Sequence, residues 1–169
     1  MKFDQDLLRQ YRHLLQTTPL QAGYQEFLRL FRYVRIQLAK RLSAYGFSAG
    51  IAENAMEYAY FQLSDTALRH QGLKVVIAFD YRTFSFQVWL SGANRNIQKT
   101  FFPICQSRAL PGLLTTDAEH TDYLIRIPLE PELCFEPPER IVETIAGKVE
   151  ELTTWVAECV ETSHEQEEA

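Results

Sequence analysis

The apolar positions of this chain change period several times, and each change predicts an element. Phe3, Leu7, Leu8, Tyr11, Leu14 and Leu15 recur at helical spacing and predict a first helix over residues 3–16. Thr17, Thr18 and Pro19 end it. Thr18 is placed to cap a second helix, with Pro19 at its first position, where a missing N–H costs nothing. That helix is expected to run to about Tyr45 and to stop at Gly46. Around it, Tyr24, Phe27, Leu30, Phe31, Val34, Leu38 and Leu42 share one arc, while Arg29, Arg32 and Lys40 lie nearly opposite. A third helix is expected over residues 49–63, with Ile51, Ala55, Met56, Ala59 and Tyr60 as its contacts. Ser64 would then cap a short helical turn ending near Gly72.

At residue 74 the period drops to two. Val75, Ile77 and Phe79 alternate, and so do Phe84, Phe86, Val88 and Leu90, which predicts a hairpin over residues 74–91. Asp80-Tyr81-Arg82-Thr83 is the expected connection, although no Asn-Gly or Asp-Gly pair sets its register. Residues 94–106 read as helix, with Pro103 an obstacle to continuity. Residues 107–121 read as loop. Tyr123, Ile125, Ile127 and Leu129 alternate as a third strand, and Pro128 within it points to a sheet edge or an early end. Pro131, Pro137 and Pro138 are expected to keep the chain extended. A last helix over residues 139–160 carries the stripe Ile141, Ile145, Val149, Leu152, Val156 and Cys159, and the polar residues 163–169 are expected to fray. The resulting class is α+β: N-terminal helices, a small, mostly antiparallel sheet built on the 74–91 hairpin, helices packed on it, and a long C-terminal helix. Residues 1–162 are expected to form one domain.

Composition adds limits. A chain of 169 residues with 46% apolar and 23% charged residues suits a soluble domain with a real core. No apolar run approaches the ~20 residues of a membrane span, and the N-terminus lacks an apolar export core, so a cytoplasmic location and no membrane partner are expected. Cys105, Cys134 and Cys159 form no CxxC pair and read as idle thiols. The net charge of −5 is uneven: +5 over residues 1–45, +2 over 46–116 and −12 over 117–169. Such separation fits ends that attract each other, within a chain or across a homodimer, better than a nucleic-acid surface.

The segment Phe86 to Gln98, FQVWLSGANRNIQ, resembles a strand-to-helix segment found in a family of short, uncharacterised bacterial proteins, a domain of unknown function. The motif that carries the likeness is VWLxGxN, Val88 to Asn94, and the order of elements agrees over most of the chain. The resemblance implies a single α+β domain. It implies no activity, and no site residue carries over from it.

Five groups of residues carry candidate chemistry. The corner Gly92, Asn94, Arg95 and Lys99, with Trp89 and Tyr81 as stacking surfaces, could place an anion at a helix N-terminus. Its plainer reading is a turn, a cap and two solvated cations. The cations of the second helix, Arg29, Arg32, Arg35, Lys40 and Arg41, with Tyr33 beside them, could follow a phosphate backbone. A solvated face, or a seat for the acidic last helix, is the preferred reading. Glu57 and Asp80 suggest a metal-dependent nuclease fold, but the second strand offers neither the acid nor the Lys such a site needs. His13, His70, His120 and His164 show no metal-ligand spacing. Eleven Phe, eight Tyr and two Trp exceed what a small sheet needs, so Trp89, Phe102 or Trp155, if exposed, would mark a partner surface. The function expected is a non-enzymatic binding or interaction domain that self-associates as a homodimer. A binder of phosphate-bearing ligand or nucleic acid is the alternative, and an enzyme with an unfamiliar site the third. No catalytic residue, metal or cofactor is assigned.

Overall fold

The computed structural model describes the backbone of residues 1–167 and the side chains outside Ala49 and residues 162–167. Two helices lead, α1 (Gln5–Thr17) and α2 (Leu20–Arg41). The strands β1 (Gly46–Asn54) and β2 (Tyr58–Ser64), the short helix α3 (Thr66–His70), and the strands β3 (Leu73–Asp80) and β4 (Ser85–Gly92) follow. Then come α4 (Arg95–Gln106), β5 (Leu113–Leu114), β6 (Ile125–Pro128), a 3-10 turn (Pro131–Phe135) and α5 (Pro138–Glu167). The class is α+β, with one six-stranded sheet in the order β1-β2-β3-β4-β6-β5 and every pair antiparallel.

The hairpin at the centre pairs Val75 with Leu90, Ile77 with Val88 and Phe79 with Phe86, closing Asp80 onto Ser85. Phe84 belongs to the turn, not to the strand: its φ is 52°. Asp80 holds that turn, its carboxylate accepting from the backbone N–H groups of Arg82 (2.9 Å) and Thr83 (3.3 Å).

The main departure from the sequence pattern is the segment expected as a third helix, which is the hairpin β1–β2. Along β2, Ala59, Phe61 and Leu63 are buried while the residues between them are half-buried, an alternation of period two. Ala55 and Met56, expected as helix contacts, occupy the connecting turn in the left-handed region, at φ 45° and 59°. Glu57 is therefore a turn residue. Smaller corrections have local causes. α2 stops at Arg41, and Gly46 opens β1 rather than ending a helix. Pro19 sits at the N-cap of α2, although Thr18 Oγ1 still accepts from Leu20 N at 3.3 Å. Asp65, not Ser64, caps α3, accepting from Leu68 N at 2.7 Å. Pro103 lies inside α4, which runs on to Gln106 without that residue's N–H. Pro131 begins a 3-10 turn, so the stretch after β6 is not extended throughout. α5 remains helical to Glu167; the rest of the expected frayed tail, Glu168 and Ala169, lies outside the described residues. Pro128 does end a strand, and the two-residue β5 leaves Ile127 and Pro128 unpaired on that side.

One face of the sheet is closed by two helices. Phe27, Phe31, Val34 and Leu38 of α2 and Ile141, Ile145, Val149, Leu152 and Val156 of α5 meet Phe61, Ile77, Phe79, Phe86 and Val88 in one apolar core. Phe27 lies 4.4 Å from Phe79 between ring centroids, and Phe31 5.3 Å from Phe61. The basic and acidic helices adjoin within this chain: Arg41 reaches Glu150 at 3.4 Å, and Tyr33 donates to Glu139 at 3.1 Å. Among the described residues no helix is long and apolar enough to cross a membrane.

Candidate ligand-binding site

The other face of the sheet carries the alternate residues of the same strands. The register sets Gln62, Val76, Trp89 and Arg126 in one row across β2, β3, β4 and β6, with Tyr60, Ala78 and Gln87 in the next. Val76, Ala78 and Trp89 form a small second cluster against Tyr58, Tyr60 and Tyr123. The indole of Trp89 meets Tyr58 edge-on at 5.4 Å and Tyr123 at 5.3 Å. Its N–H donates to Gln87 Oε1 at 2.9 Å, and Gln87 Nε2 donates to Asp80 at 3.3 Å. These aromatics are therefore held in orientation, with Trp89 buried and Tyr58, Tyr60 and Tyr123 half-buried, and they form the floor of a hollow.

Over this floor lies a hollow of about 570 Å³, bordered by Tyr60, Gln62, Lys74, Val76 and Trp89 and, along one wall, by the corner from Gly92 to Arg95 with Gln98 and Asp122. Its size falls in the range of small-molecule sites, roughly 300–1,000 Å³. Gly92 is there for fit: a Cβ would come within 2.8 Å of the backbone O of Asn94 and the backbone N of Gln98. Asn94 Oδ1 caps α4, accepting from Ile97 N at 3.0 Å. Gln98 is pinned by its donations to the carbonyls of Ala118 (3.0 Å) and Thr121 (2.8 Å).

Four charged residues border the hollow, and three are engaged. Arg95 pairs with Asp122 at 2.7 Å, and Glu53 accepts from the hydroxyl of Tyr24. Lys74 makes no hydrogen bond or ion pair among the described residues. Burial pushes its pKa down, opposed by the carboxylate of Asp122.

Of the residues singled out in sequence, Trp89, Gly92, Asn94 and Arg95 border this hollow. Lys99 does not; it pairs with Glu119 at 2.8 Å and holds that carboxyl below its usual pKa. The cations of α2 do not form one free row. Arg29 pairs with its own helix's Glu26 at 3.0 Å, Arg35 sits 6.0 Å from the Phe47 ring centroid, and Arg41 reaches α5, leaving Arg32 and Lys40 exposed. Asp80 is consumed by the hairpin turn and Gln87. His120 pairs with Asp117 at 2.8 Å, which lowers the Asp117 pKa. Trp155 is half-buried and donates to Ala109 O at 2.7 Å. Lys74 and Gln62 were not singled out, and Tyr60 only as a contact of the expected third helix. The alternation YAYFQLS from Tyr58 to Ser64 was the available signal, since it places Tyr60 opposite Ala78 and Gln62 opposite Val76 once read as a strand.

The fold and site define an α+β protein with one helix-covered and one open sheet face, the latter holding a small polar and aromatic hollow. Residues 3–160 match the profile of a family described as a domain of unknown function, DUF7000, and the chain belongs to that family. No curated protein and no solved structure matches it.

Proposed function

We propose that this chain is a cytosolic, non-enzymatic binding domain whose ligand lies in the hollow on the open sheet face. The observation that carries this reading is Lys74, a half-buried ammonium that makes no hydrogen bond or ion pair among the described residues, with the Asp122 carboxylate acting on it only through space, beside an aromatic floor. Desolvating a charge is costly unless a counter-charge arrives. A ligand with one anionic group and a flat apolar body supplies both: the anion for Lys74, the flat body for Tyr60 and the side of the buried Trp89 that borders the hollow.

The test uses 2-naphthoate, which has both parts, beside inorganic phosphate and 2-naphthylmethanol, each of which has one. Binding is followed through the indole N–H resonances, with Trp155→Phe assigning them. Millimolar 2-naphthoate is expected to shift the Trp89 signal, and the two partial ligands to bind at least ten-fold more weakly. Lys74→Gln should cost about ten-fold in affinity, roughly 1.4 kcal/mol, while Lys74→Arg retains most of it. Equal binding by wild type and Lys74→Gln, with thermal melts confirming that both fold, sinks the reading. Phosphate binding as well as naphthoate would favour a phosphate-bearing ligand instead.

A further inference from the structure

α1 presents a different surface. No residue of this helix is buried. Its apolar stripe is open along its length, with Leu7 61%, Leu8 53%, Tyr11 53%, Leu14 46% and Leu15 37% exposed, and Phe3 just before it at 65%. Together these side chains offer several hundred Å² of apolar surface, the scale at which an exposed patch marks an interaction. Elsewhere on the same chain is a feature of matching shape. Between α2 and β1 runs a groove of about 290 Å³ lined by Leu28, Ile36 and Ile51, with Gly50 leaving room and Arg32, Arg35 and Glu53 also bordering it. Ile36 is 51% exposed, an apolar side chain without cover.

We propose that α1 is an exchanged arm that seats its apolar stripe in the α2–β1 groove of a second copy of this chain. Three observations favour that occupant. The stripe of α1 and the Leu28, Ile36 and Ile51 part of the groove are both apolar and uncovered among the described residues, and they belong to one sequence, so an exchange about a two-fold axis satisfies both surfaces in each copy at once. The exposed area is of the needed order: six large apolar side chains from each arm, Phe3 to Leu15, would go toward the ~1,200–2,000 Å² of a stable interface. Charge also fits. Asp4 caps α1 and Asp6, in its first turn, forms an exposed pair with Arg9 at 2.7 Å, and against these acids the groove sets two arginines, Arg32 and Arg35, beside the single acid Glu53. A lipid surface is less well matched, because residues 1–17 hold only Lys2, Arg9 and Arg12 against those two acids.

Light scattering on the full chain, coupled to size-exclusion chromatography at about 100 μM, tests this. The wild type is expected to be a dimer. Leu15→Glu and, separately, Ile36→Glu should each give a folded monomer, since both side chains are exposed in the single chain and their replacement leaves its core intact. A monomeric wild type overturns the proposal, whether its α1 amides are protected from exchange by folding back or the helix binds anionic vesicles. A dimer that survives Leu15→Glu overturns it too. Dissociation by Leu15→Glu but not by Ile36→Glu would show arms pairing with each other, and would remove the groove as their seat.

Discussion

The two faces of the central sheet are built from alternate residues of the same strands, and they have opposite fates. Ile77 points under α2 and α5 and is fully buried; its neighbour Val76 points the other way and borders the hollow. The rings around Phe79 and Ile77 on the closed face are mostly phenylalanine: Phe27, Phe31, Phe61 and Phe86. On the open face, aromatic rings alternate with Gln62, Lys74, Asp80 and Gln87, and polar groups hold one another in place. A single period-two sequence thus assigns an apolar core to one side and a polar, aromatic surface to the other. The strand register, not any motif, is what separates them.

The sharpest way to break that comparison is to delete the same kind of group on both sides of one strand. Ile77→Ala opens a cavity in a packed core and should cost about 2–5 kcal/mol. Val76 is also buried, but it borders the hollow, so Val76→Ala enlarges an existing space rather than opening a sealed cavity and should cost mainly the transfer of the lost methyls, about 1.5 kcal/mol. Urea denaturation of the two variants beside wild type measures both. Equal losses would mean that the second face is as closed as the first.

Gly92→Ala probes the seam where the open face meets α4. The added methyl would press on the backbone of Asn94 and Gln98, which cannot yield as a flexible side chain does. A loss of about 1–3 kcal/mol is expected. The same displacement should weaken 2-naphthoate binding, because Asn94 and Arg95 form a wall of the hollow. Destabilisation with unchanged binding would detach that wall from the site.

Much of the closed face was legible in sequence. The arc Phe27, Phe31, Val34, Leu38 on α2 and the stripe Ile141 to Cys159 on α5 are the residues buried there, because an amphipathic helix of several turns repeats its signal many times. The central hairpin was legible for the same reason. β1 and β2 were not. Ala49, Ala52, Ala55 and Ala59 give that segment a helical composition, and the turn between its strands uses Ala55 and Met56 at positive φ, where Gly or Asn would have announced it. Losing β2 concealed Tyr60 and Gln62. Lys74 stayed hidden too, because its importance comes from what surrounds it and from the absence of a partner. The corner at Gly92 was found through its turn chemistry, yet the structure gives its glycine and asparagine architectural work and pairs Arg95 with Asp122.

The smallest effect lies at the margin of the closed face. Tyr81 packs its ring against Phe27 (5.0 Å) and Phe79 (5.4 Å), while its buried hydroxyl finds no hydrogen-bond partner among the described residues. Burial, helped by the charge of Glu53, pushes its pKa up to about 12. An unfolded tyrosine titrates near pH 10. Between those values the unfolded chain has released this proton and the folded chain has not, so the Tyr81 contribution is full below about pH 10 and is lost as pH rises toward 12. Lys74 runs the other way: its folded pKa is lowered, so its cost is full at neutral pH and disappears as the ammonium deprotonates on the approach to its unfolded value. Tyr81→Phe keeps the ring contacts and removes an unsatisfied hydroxyl, so at pH 7 it should change stability by about 1 kcal/mol or less, in the stabilising direction. The difference between wild type and Tyr81→Phe, measured in urea from pH 8 to 11, should move further in favour of the variant above pH 10. The matching difference between wild type and Lys74→Gln should move in favour of the wild type. Parallel pH profiles for all three would mean that the two faces bury their polar groups alike.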